Sequence, residues 1–135
     1  MSFDAHFRSP GSAPADAPTA VRAGTYLGDH RVLVRTVWGH KLILDGRDLS
    51  LAPHLILDGY WEMWISRVFQ ALLKPGMTVV EVGPNVGYYT VLAAAQVGAT
   101  GRVIAVEANP QMAKLLRDIV RGIREGSASL GVCWD

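Results

Sequence analysis

The stretch Met77-Thr78-Val79-Val80-Glu81-Val82-Gly83-Pro84-Asn85-Val86-Gly87 decides how this chain folds. Its first six residues are an apolar, β-branched run of the length and type that suits a buried strand. The run ends in a bend bracketed by Gly83 and Gly87. A helix is predicted from about Val86 to Val97, where Ala93-Ala94-Ala95 allow close packing, with Gly98 as its C-cap. Thr100-Gly101 turns the chain back into a second apolar strand, Arg102-Val103-Ile104-Ala105-Val106-Glu107. A right-handed crossover makes the two strands parallel neighbours in one βαβ unit. Such a unit builds its ligand site at the carboxyl ends of the strands, and here an acid closes each strand: Glu81 and Glu107.

The pattern extends outward on both sides. Downstream, Asn109 is a good N-cap and Pro110 suits the first helical position. Met112, Leu115, Leu116, Ile119, Val120 and Ile123 supply the buried stripe of that helix. Upstream, Asp58-Gly59 can cap a helix whose Trp61, Trp64, Ile65, Val68 and Leu72 recur on one face, and Pro75-Gly76 ends it. Its aromatic cluster is read as a face covering a sheet rather than as a stacking platform for a ligand. From Tyr26 to Leu57 the pattern is β-like. Arg31–Val37 and Lys41–Asp45 flank a turn at Gly39, which predicts a hairpin. Residues 1–24, with Pro10, Pro14 and Pro18 among Gly, Ser and Ala, bury too little to offset ordering entropy and read as a flexible arm. The expected architecture is α/β: an incomplete doubly wound, Rossmann-like parallel sheet over 58–126, a small β-hairpin cap over 25–57, and an atypical tail at 127–135.

Composition excludes several classes of function. With 135 residues there is room for one core. A formal net charge of +1 gives no field that would gather nucleic acid or an anionic membrane. Cys133 is the one cysteine, so no intramolecular disulfide can form, and no partner marks it as a nucleophile. The start lacks the basic-then-apolar order of a signal peptide, and no apolar run reaches the length of a spanning helix. A soluble, cytoplasmic protein is expected. His6, His30, His40 and His54 are scattered without the spacing of a metal site.

The bend suggests what the site holds. Gly83, without a side chain, lets the backbone turn sharply and a ligand lie against it. Gly87 lets the following helix approach the strand. The positive end of that helix suits a carboxylate, Glu81 can attract an ammonium group, and Glu107 can accept both hydroxyls of a ribose. An amino acid joined to a nucleoside meets all three demands, and S-adenosylmethionine (SAM) is such a molecule. The dinucleotide fingerprint would need glycine at Asn85 and glycine or alanine at Tyr88, and no phosphate-binding G-x-x-x-x-G-K-[ST] occurs.

Val79-Val80-Glu81-Val82-Gly83-Pro84-Asn85-Val86-Gly87-Tyr88-Tyr89-Thr90, followed by Val103-Ile104-Ala105-Val106-Glu107-Ala108-Asn109-Pro110, resembles the FkbM family of class I SAM-dependent methyltransferases. Gly59-Tyr60-Trp61-Glu62 and Leu73-Lys74-Pro75-Gly76 look similar to that family too. The departures are Pro84 for the usual alanine and Ala108 for the usual proline; Pro84 removes a backbone donor. The resemblance implies that Glu81, Gly83, Pro84, Asn85 and Gly87 surround the methionine part of SAM, with Glu107 on the ribose and Ala108 beside the adenine. Glu62 is either a further site residue or an exposed helix-start acid. The resemblance also implies methyl transfer to a hydroxyl of a small molecule or sugar. No catalytic base is nameable, because the likeness covers about Tyr26 to Val120.

Beyond Arg121 the sequence does not resemble that family, although Ser129–Trp134 suits a third strand. A truncated methyltransferase is therefore expected, with one edge of its first strand unpaired and self-association through that edge as the consequence. A non-catalytic module that binds SAM or a partner chain, and a gene remnant, are the competing readings.

Overall fold

A computed structural model describes residues 23–123 and 129–133. The predicted arm at 1–24 thus lies almost wholly outside the described residues, as does much of the tail. The chain is mixed α/β, with two sheets. An antiparallel meander comes first: β1 (Thr25–Gly28), β2 (Arg31–Arg35) and β3 (Lys41–Asp45). β2 pairs with β3 from Arg31↔Asp45 to Arg35↔Lys41, so the hairpin registers about its turn at Gly39, which takes φ +87°.

Two features differ from the sequence reading. First, the stretch expected to stay β-like ends in a helix, α1 (Ala52–Leu57). The Asp48 carboxylate causes it, accepting hydrogen bonds from the backbone N–H groups of Ser50, Leu51 and Ala52, donors that the first turn leaves unpaired. Pro53, at the start, has no such donor.

Second, α2 (Met63–Leu72) begins later than Asp58-Gly59 predicts, and its buried face is rotated. Met63 and Ser66 are buried, whereas Trp64, Val68 and Leu72 of the expected stripe face outward, Leu72 with 67% of its surface accessible. Polar contacts explain the rotation. The Ser66 hydroxyl donates to the Trp61 carbonyl at 2.8 Å and meets the Tyr88 hydroxyl at 3.0 Å, while the Tyr89 hydroxyl donates to Glu62 at 3.1 Å. A hydrophobic pattern counts apolar positions and cannot register such anchors. Asp58 does not cap α2; it ends α1 instead, its N–H donating to the His54 carbonyl at 2.8 Å and its carboxylate facing the His54 ring at 3.7 Å.

The second sheet is parallel, in the order β4 (Thr78–Val82), β5 (Arg102–Val106), β6 (Ser129–Cys133). β4 and β5 are joined by α3 (Tyr88–Val97), β5 and β6 by α4 (Pro110–Ile123). The Asn109 carboxamide caps α4 by accepting from the N–H of Gln111 at 2.9 Å. Val79, Ala93, Ala94, Val97 and Val103 meet in one core beneath α3, with Phe69 and Leu73 of α2 at its border. The meander lies against the helices in a larger core that joins Val34, Leu42, Leu44 and Leu55 to Val86, Tyr88, Val91, Leu92 and Ile119.

One face of the parallel sheet is thereby covered. On the other, Val80 and Val82 keep 63% and 81% of their surface accessible, and β4 has a sheet partner on one side only among the described residues. Val82→Lys is expected to change stability by less than about 0.5 kcal/mol, because nothing packs on that side chain. Urea unfolding measures it, and a loss above about 1.5 kcal/mol would mean that the face is covered. Among the described residues no helix is long and apolar enough to cross a membrane.

Candidate functional site

The site is built where β4 and β5 end. Glu81 stands opposite Ala105 in the parallel register, and Glu107 follows two residues later. The alternation of strand side chains therefore turns both acids toward the helix-covered side. The Thr90 hydroxyl of α3 donates to Glu81 Oε2 at 2.5 Å. Burial, aided by the negative charge of Glu107, holds the Glu81 carboxyl above the usual range, and the bond from Thr90 opposes that shift.

Glu107 is 8% exposed, and its carboxylate ties the site together. One oxygen accepts the Asn85 N–H at 2.9 Å and the other the Asn109 N–H at 2.8 Å. The glycine loop is thus pinned to the tip of β5. Free lone pairs remain for a diol, since each carboxylate oxygen has two. Glu107→Gln leaves one of the two backbone donors facing an amide N–H₂ group. It is expected to destabilise the chain by about 1–3 kcal/mol, read from the urea midpoint; an unchanged midpoint would refute the pin.

Three amides of the loop are committed inside the protein. Gly83 N–H donates to the Val106 carbonyl at 2.9 Å and Gly87 N–H to the Pro84 carbonyl at 2.8 Å; Asn85 N–H goes to Glu107, and Pro84 has none. Phosphate sites need such donors free and convergent, and here two of them are taken by backbone carbonyls and one by a carboxylate.

The two glycines divide the work. Gly83 takes φ +71°, and a Cβ built on it meets nothing within 4 Å, so the space before it is open to a ligand. Gly87, with φ +81°, is buried, and a Cβ there would overlap Leu116 of α4. Its missing side chain admits α4, not the strand as expected. Asn85 is exposed and takes φ +53°, a left-handed conformation asparagine tolerates better than most residues. Pro84 is buried and Ala108 exposed. Glu62 takes φ +43° and holds the Tyr89 hydroxyl. Thr90 and Leu116 carried no signal as site residues, because only the packing of α3 and α4 brings them to Glu81 and Gly87.

Cys133 and Ile123 have side chains outside the described residues, as does His6. Among the described residues, no group of three or more His, Cys, Asp or Glu side chains converges as a metal site would require.

A family model described as protein-L-isoaspartate(D-aspartate) O-methyltransferase matches residues 60–130, more than half of the chain. The chain belongs to this family. It is a class I SAM-dependent methyltransferase family, so the expected class is right, while the match is to this family and not to the FkbM type. Among curated proteins, protein-L-isoaspartate O-methyltransferase 1 of Arabidopsis thaliana is 44% identical over 57 residues, which cover 42% of this chain and 24% of that protein. The match therefore spans about a quarter of the relative's length. SAM is the methyl donor of protein-L-isoaspartate methyltransferases, the cofactor that the loop chemistry predicts.

Proposed function

We propose that this chain carries the SAM-binding part of an O-methyltransferase of the protein-L-isoaspartate type. The observation that supports it best is a glycine bend open at Gly83, lined by two carboxylates, with the N–H groups of Gly83, Asn85 and Gly87 already engaged. Such a site favours a cationic, hydroxyl-bearing ligand over a phosphate. Glu81 receives the ammonium group, Glu107 the ribose hydroxyls, and Gly83 the close approach of the ligand. Asn85, Pro84 and Gly87 shape the bend, and Ala108 lies on the adenine side.

SAM supplies an electrophilic methyl group on sulfur, and the protein's part is alignment for in-line transfer. A carboxylate acceptor, as the family name indicates, is already ionised and needs no general base. The resemblance to the FkbM family favours instead a hydroxyl of a small molecule or sugar, which would need one. In that reading the β1–β3 meander is a cap. The open β4 edge, whose Thr78–Val82 run carries neither lysine nor proline, is then a surface for a second copy.

Calorimetric titration with SAM, with ATP and NAD as controls, tests the site. Micromolar SAM binding with no response to either control is expected, and no binding at millimolar SAM would refute the proposal. Labelled methyl transfer to an L-isoaspartyl peptide gives a base-labile ester, whereas transfer to a sugar hydroxyl gives a stable ether. Binding without transfer to either acceptor favours a non-catalytic module.

A further inference from the structure

We infer that Thr90 is a positioning residue for the cofactor: its hydroxyl holds the Glu81 carboxylate aimed where the ammonium group of a SAM-like ligand arrives. The inference rests on the SAM reading above. Thr90 is fully buried in α3, between Tyr89 and Val91, in a stretch where Val91, Leu92 and Ala93 are all buried and apolar. A threonine inside a helix is β-branched and commonly bonds back to the carbonyl one turn earlier. Here the hydroxyl reaches across to the strand and donates to Glu81 Oε2 at 2.5 Å. Packing alone would be met as well by valine, which has nearly the same shape.

The surroundings of Glu81 make that donor matter. Burial favours its neutral form, and Glu107 at the tip of β5 pushes the same way. From β5 its register partner is the uncharged Ala105, and Arg102 lies at the far end beside Thr78. From α3, Tyr88 and Tyr89 send their hydroxyls to Ser66 and Glu62 of α2. Thr90 is thus the group named on these elements that favours the charged form. A neutral Glu81 would have no charge to offer an ammonium group.

The test is titration of S-adenosylhomocysteine, which keeps the amino-acid and ribose ends, into the parent chain, Thr90→Val and Thr90→Ser. Thr90→Val is expected to weaken binding about tenfold near neutral pH and to move the acid limb of the affinity profile upward. Thr90→Ser, which keeps the donor, is expected to restore both. Thr90→Ala replaces the valine variant if circular dichroism shows that variant unfolded, with the same expected shift. Unchanged affinity and an unmoved acid limb in the folded hydroxyl-free variant would overturn the inference while leaving the SAM reading intact. A parent chain that does not bind the ligand overturns both.

Discussion

Glu81→Gln is expected to bind S-adenosylhomocysteine at least about 100-fold more weakly than the parent, a loss of about 2.7 kcal/mol, and yet to resist urea better at neutral pH. The two effects have one origin. Glu81 is largely buried beneath α3, and its carboxyl is held above the usual range by that burial and by Glu107. A charge-assisted bond to an ammonium group is worth about 1.5–3 kcal/mol more than nothing, and glutamine offers the ligand only a neutral carbonyl. For stability the sign runs the other way. A carboxyl whose folded pKa exceeds its unfolded value stabilises the fold fully below the unfolded value, and that contribution is lost as pH rises through the folded one. Glutamine has no such loss. The variant is therefore expected to gain about 1 kcal/mol over the parent above the folded pKa, and the gain is expected to shrink as the pH approaches the ordinary carboxylate range. Its carbonyl still accepts the Thr90 hydroxyl, so the packing is kept. Calorimetry checks the first half and urea midpoints at two pH values the second. Lower stability at high pH, or undiminished affinity, would show that Glu81 is not the ammonium partner.

Gly87→Ala is expected to destabilise the chain by about 2–4 kcal/mol, although the substitution adds one methyl group. Two causes act together. Gly87 takes φ +81°, which L side chains rarely adopt, and the new Cβ would overlap Cδ1 of Leu116, itself fully buried in α4. Removing the leucine's branch separates them. Leu116→Ala alone opens a cavity and costs about 2–5 kcal/mol. In the double variant the overlap is gone and the cavity partly filled, so the two losses are expected to fall short of additivity by about 1 kcal/mol or more. Strain at φ remains in the double variant. Strict additivity in urea unfolding would place Leu116 away from the loop.

Much of the site was legible because its requirements are local. A β-branched run ending in Gly83 announces a strand followed by a bend, and the alternation of strand, helix and strand constrains the crossover. Glu81 and Glu107 were readable as strand-end acids for the same reason, and Asn109 as the cap of α4. What escaped was decided at a distance. The rotation of α2 follows from Ser66, Tyr88, Tyr89 and Glu62, residues up to 27 positions apart that meet through single hydrogen bonds. Helix α1 is started by the carboxylate of Asp48, four residues before Ala52 and outside any periodic pattern. The methyltransferase class was evident from the loop, but the family was settled by residues 60–130 taken together.

Sequence alone established one βαβ unit, its glycine bend and the acid at each strand end, because backbone propensity and side-chain alternation act within a few residues. The tertiary structure decided what each loop residue is for. Gly83 faces open space while Gly87 faces Leu116, and the amides of Gly83, Gly87 and Asn85 are taken by Val106, Pro84 and Glu107. Thr90, not a cation, stands against Glu81. Those assignments depend on which atoms meet when the helices pack on two sheets, and no short-range pattern in the chain encodes such meetings.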